Sequence, residues 1–198
     1  MHGTILKTAE GYLRATRGAD GWAAIAAAAN LPPDGIIAMR PYPDRVMTAL
    51  LAAAASHTGR APSDLLEDMG TWLCTDPANE AVRRLFRFTG PTFPDLLYSL
   101  DDVPERARMA VPDLDLPELS LVEQGEGRYR VASTWPLKGA GSVIVGVLRA
   151  LADDYGALAV VAHEGRREAR GFWVEMLSIR LLDEGFQDPK GFALGGAA

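Results

Sequence analysis

Residues Leu96 to Pro117 read LLYSLDDVPERARMAVPDLDLP, and the fold is decided by what changes across them. Upstream, apolar residues recur at helical spacing; downstream, the period drops toward that of strands. Inside the stretch, Pro104 lacks a backbone N–H and so disturbs a helix if it falls beyond the first turn. It also has no lone pair to offer a metal. A helical half followed by a small antiparallel sheet is an α+β arrangement.

The upstream half starts with Ile5, Ala9, Tyr12 and Leu13, then Trp22, Ile25 and Ala29. This spacing predicts two helices within residues 3–29, joined by a turn at Thr16–Gly21 with Asp20 as the second N-cap. A further helix runs from Tyr42-Pro43-Asp44 to about Gly59, with Val46, Leu50, Ala53, Ala54 and His57 on one face. Ser63 is read as the cap of the next, which continues through Met69, Trp72 and Leu73, and Gly70 within it allows close approach. Asn79 to Phe88 forms another, with Val82, Leu85 and Phe86 inward, and Thr89–Pro94 breaks it.

Downstream, Leu119–Glu123 and Tyr129–Thr134 are predicted strands joined by a hairpin at Gln124–Gly127. Val143 to Tyr155 is a helix stopped at Gly156. Leu158–His163 and Phe172–Leu182 are strands around a polar turn, Glu164 to Gly171. The expected organisation is one domain over residues 1–182, helical to about 117 and sheet from 118, followed by a tail over 183–198. The glycine-rich end, Gly191 to Ala198, is expected to fray.

The chain has 198 residues, 48% of them hydrophobic and 23% charged, which suits one soluble globular domain. No apolar run is long enough to span a bilayer, and the start MHGTILKTAEG does not read as a signal peptide. A single cysteine, Cys74, excludes an internal disulfide and fits a reducing cytoplasm. The net charge of −6 argues against a nucleic-acid partner. No enzyme is indicated: metal-spaced His/Cys clusters, Gly-x-Ser-x-Gly and phosphate-binding glycine loops are absent. Asp101-Asp102 and Asp153-Asp154 are adjacent pairs that point apart on a helix, not paired acid/base groups. Arg166-Arg167-Glu168-Ala169-Arg170 reads as a solvated hairpin tip or, in the sharper alternative, as a surface for docking a partner.

The stretch Leu100-Asp101-Asp102-Val103-Pro104 resembles the signature of the H-NOX family, the haem-nitric-oxide/oxygen binding domains. There, Leu-Asp-x-Leu-His supplies the proximal haem ligand. The opening Met1-His2-Gly3, the Tyr42-Pro43-Asp44 junction and the order of helices and strands resemble the same family. The resemblance covers residues 1–182 and implies a sensory domain that reports to a separate kinase- or cyclase-type protein.

At the functional motifs this chain departs from the pattern. Pro104 stands where the family has histidine. The family's Tyr-x-Ser-x-Arg, whose polar groups satisfy buried haem propionates, aligns here with Val131-Ala132-Ser133-Thr134-Trp135, leaving only Ser133. With Ile5 and Pro112, these make a pocket equivalent to the family's, comprising Pro104, Val131, Ser133, Trp135, Ile5 and Pro112. The residues therefore predict no cofactor and no metal, although haem is what the resemblance implies. Trp135 and Phe93 are candidates to fill the vacated space, which could instead accept a small apolar ligand. The alternative is a genuine haem sensor of nitric oxide or oxygen with a substitute axial ligand, drawn from His2, His57, His163, Cys74, Met109 and Tyr98. Of these, His163 is expected to be solvated.

Overall fold

The computed structural model describes residues 1–32 and 34–191, so the expected fraying of the end falls, from position 192, outside the described residues. The first core is helical. It joins α1 (Gly3–Ala28), α2 (Arg45–Thr58) and α3 (Pro62–Thr75) through Leu6, Leu13, Trp22, Ile25, Leu50 and Leu65. α1 is two helical runs joined by a sharp kink, as the spacing predicts. The break is confined to Gly18, whose φ of 71° lies in the left-handed region open to glycine, and Asp20 sits inside the second run instead of capping it. Ser63 is not a cap either. Pro62 takes the first helical position of α3 after Ala61, because a proline there gives up only an N–H that would have no partner anyway.

After α3 the chain makes short turns of helix: α4 (Glu80–Arg87), α5 (Phe93–Tyr98) and α6 (Val103–Ala110), the last two linked by a 3-10 turn at Leu100–Asp102. α5 starts on a capping box. The Thr92 hydroxyl accepts from the Asp95 N–H at 3.2 Å, and the Asp95 carboxylate accepts from the Thr92 N–H at 3.0 Å. Pro104 falls in the first turn of α6, so the anticipated disturbance of a helix does not arise.

The sheet half has the expected order: β1 (Glu118–Gly125), β2 (Arg128–Trp135), α7 (Ala140–Tyr155), β3 (Leu158–Ala169) and β4 (Phe172–Asp183). The strands lie in the order β1-β2-β4-β3, every pair antiparallel. β3 and β4 run further than the sequence suggests. The polar turn shrinks to Arg170 and Gly171, and a bulge between His163 and Gly165 absorbs the extra residue. α7 starts three residues before Val143.

α7 covers one face of the sheet and also crosses α3, which ties the two halves together. At the crossing the helices meet backbone to backbone. A side chain on Gly70 would run into the Val143 carbonyl, and one on Gly146 into the Glu67 carbonyl. Arg149 strengthens the seam by donating to the Val161 carbonyl and pairing with Glu67. The second core lies between α5, α7 and the sheet, with Leu96, Leu97, Leu100, Val131, Leu148 and Leu177 fully buried. No helix is long and apolar enough to cross a membrane among the described residues.

Candidate functional site

Alternation along β2 and β4 decides what faces α7. Tyr129, Val131 and Ser133 point inward from β2, and Glu175, Leu177 and Ile179 from β4, while their neighbours point to the opposite face. The register sets Val131 opposite Leu177, Ser133 opposite Glu175, and Trp135 opposite Trp173. An apolar surface thus turns polar toward the start of α7.

Glu175 is the centre of that polar end. It is 1% exposed, and its carboxylate accepts from the Gly139 N–H at 2.5 Å and the Gly141 N–H at 3.0 Å. The His163 Nε2 lies 3.0 Å from the same carboxylate. A negative charge at a helix N-terminus is favoured by the peptide dipoles, and three partners replace the water it lost. His163 is therefore not the solvated residue expected from the sequence. It is half-buried and held by Glu175.

Beside this pair, the Ser133 hydroxyl and the Trp135 indole N–H are buried and have no hydrogen-bond partner among the described residues. Pro104 is buried in the first turn of α6. Two candidates lie elsewhere: Ile5 packs against the first core, on α1, and Pro112 is exposed. Phe93 is buried in the second core, tilted against Tyr155 at 6.3 Å. The structure thus brings Val131, Ser133 and Trp135 together on one strand and leaves Ile5 and Pro112 apart from them.

The substitute ligands are engaged or turned away. His2 caps α1, its Nδ1 accepting from the Thr4 N–H at 3.3 Å. His57 is exposed in the last turn of α2. The Tyr98 hydroxyl donates to Glu123 at 2.6 Å, which raises its pKa above the ordinary phenol value. Met109 is 82% exposed. Cys74 is buried, and desolvation pushes its thiol up to about 12, so it stays protonated. Groups of three or more His, Cys, Asp or Glu able to hold a metal are absent among the described residues.

Haem would require an axial donor and cations or donors for two carboxylates. At the six candidate positions the only side-chain polar groups are the Ser133 hydroxyl and the Trp135 indole N–H. The buried charge nearest to them in register, Glu175, is itself an anion. These residues do not fit the group in the manner the motifs imply.

Sequence reading missed Glu175, whose partners at the start of α7 lie more than thirty residues away in the chain. It missed Asp154 as well. That residue is not an idle neighbour of Asp153: it is buried, and Arg83 donates to it at 3.0 and 2.6 Å. The two bound a cleft of about 320 Å³ with Glu80, Cys74 and Lys190. A second cleft, of about 270 Å³, opens on the far face of the sheet between Arg130, Arg167, Val174 and Met176. None of the six candidates lines either cleft.

Comparison with known proteins places these features in a family. The family model described as Haem-NO-binding matches residues 2–163. Soluble guanylate cyclase 89Db and soluble guanylate cyclase 89Da, both of Drosophila melanogaster, are each 20% identical over 163 residues, 82% of this chain and 24% of theirs. The chain thus spans about a quarter of the length of these relatives. A mutant H-NOX of T. tengcongensis superposes with a TM-score of 0.77 at 17% identity, over 93% of this chain and 99% of that one. An oxygen-binding H-NOX domain, related to soluble guanylate cyclases, gives 0.70 at 18%, over 96% and 100%. The chain belongs to the haem-NO-binding family.

Proposed function

We propose that this member of the haem-NO-binding family is a non-enzymatic regulatory domain that works without haem, in the cytoplasm, by contact with a separate signalling protein. What supports the reading is Pro104, buried in the first turn of α6, which the motif resemblance sets at the family's histidine position. A proline there has no side-chain donor for iron. The anchor positions support it as well. By the same resemblance Val131 stands for a phenol and Trp135 for a guanidinium, and the buried carboxylate of Glu175 would repel propionates brought beside Ser133. The cyclase names of the relatives make a cyclase-type protein the first partner to examine.

A second reading is favoured by one observation. The unpartnered Ser133 hydroxyl and Trp135 N–H could satisfy the polar end of a small, mostly apolar ligand, since buried polar groups without partners are costly.

Expression with added haem precursor tests the first reading. Protein purified and desalted without a Soret band is the expected result. An intense Soret band that shifts on addition of nitric oxide would overturn it.

A further inference from the structure

The face of the sheet turned away from α7 carries a set of groups that the fold leaves without partners. Arg130 on β2 and Arg167 on β3 flank the cleft of about 270 Å³, with Val174 and Met176 in its lining; Arg166, next along β3, pairs in register with Glu175 and belongs to the inner face. Neither the Arg130 nor the Arg167 guanidinium has a hydrogen-bond or ion-pair partner among the described residues. The one acid in the cleft, Glu164, is engaged by the Ser178 hydroxyl, which donates to it at 2.5 Å. Further along the strands the same face leaves Val122 60%, Val160 47% and Leu182 51% exposed. Free arginines flanking exposed apolar residues are what a recognition surface requires and a solvated face does not.

We propose that this face docks an acidic amphipathic helix of a partner protein, with its apolar stripe on Met176 and Val174 and its carboxylates on Arg130 and Arg167. Charge selects this occupant. Between Asp95 and Glu126 the chain carries nine acidic residues against two basic ones, so the bare face is a cationic spot on an otherwise acidic molecule. A long polyanion such as nucleic acid would meet that repulsion, whereas a helix bearing a few carboxylates contacts only the spot. Architecture selects a helix, because a helix laid on a sheet is the common way to bury its second face. Guanidiniums suit carboxylates, since their forked donors pair with both oxygens. The inference rests on the reading that the output passes through a separate protein.

The test uses a fluorescein-labelled synthetic helix with a leucine stripe flanked by glutamates, read by anisotropy against the full chain. A matching peptide carrying lysine for glutamate is the control. Saturable binding of the glutamate peptide alone is expected, weakened about tenfold or more in Arg130→Ala/Arg167→Ala and unchanged in Arg45→Ala. Because both arginines are exposed, thermal melting should show the double variant folded. Absence of binding, equal binding of the lysine peptide, equal binding by the double variant, or displacement by an equal concentration of inorganic pyrophosphate would each overturn the proposal, the last by making the cleft a site for free anions. The Soret region is read on the same sample. No peptide binding without a Soret band overturns the docking surface alone, and a nitric-oxide-sensitive band with normal peptide binding overturns only the haem-free reading.

Discussion

The two faces of the sheet are made by alternate residues of the same strands, and they have opposite fates. On β2, Val131 and Ser133 are completely buried under α7, while Arg128 and Arg130, one step away, are in solvent. On β4, Glu175 and Leu177 are buried, while Met176 and Ser178 face outward, half covered. The inner face carries Val131, Ser133 and Trp135, which the resemblance sets at the family's anchor positions, and it packs apolar side chains and the Glu175 carboxylate toward α7. The outer face carries the arginines proposed above to meet a partner. Val131 and Leu148 serve the core whether or not a cofactor lies beside them.

Substitutions on neighbouring residues test this contrast most severely. Val131→Asp buries an uncompensated charge and should abolish stable folding, whereas Ala132→Asp, on the outer face, should leave a cooperative urea transition near that of the unmodified chain. Equal damage from both would break the comparison. Next in size, Leu148→Ala should cost about 2–5 kcal/mol in urea unfolding, since it empties part of the second core. Glu175→Ala should follow at about 1–3 kcal/mol, because it strips the Gly139 and Gly141 N–H groups of their acceptor. The arginines of the outer face come last. Arg130→Ala and Arg167→Ala should each shift stability by less than about 0.5 kcal/mol.

Cys74 gives the same contrast a pH dependence. Burial raises its thiol in the folded chain to about 12, from 9.0 when exposed, so the fold favours the protonated form. Its contribution is fully present below pH 9.0 and is lost as pH rises toward about 12, where the unfolded thiol has already ionised. A thiol reagent at pH 8 should label the native chain slowly and the urea-unfolded chain fast. Rapid labelling of the native chain would mean that the second core opens readily.

The sequence carried the architecture well, because its signals were periodic. Helical spacing in residues 3–88 and 143–155 and strand spacing over 119–134 and 158–182 place the long elements, and Gly70 marks the seam with α7. The short helices α5 and α6, between Phe93 and Ala110, carry too few turns to show a period. Local chemistry carried less. Ser63 and Asp20 have the composition of caps, but Pro62 and Gly18 settle those positions by backbone geometry instead. At the candidate site, the departures from the family motifs proposed at Pro104, Val131 and Trp135 are legible in the sequence, since each residue lacks the group the motif carries. What surrounds them is not. Glu175 meets Ser133 and the start of α7 only through strand register and a connection 36 residues long, and nothing local announces it.

The central claim is that the domain keeps its family's fold while lacking the means to hold its cofactor, and a haemin titration followed at the Soret band tests it most directly. The unmodified chain and Pro104→His should be compared under identical conditions. The account predicts no stoichiometric Soret band in the unmodified chain, and a band after substitution only if space remains beside α6. A stoichiometric, nitric-oxide-sensitive band in the unmodified chain would contradict it.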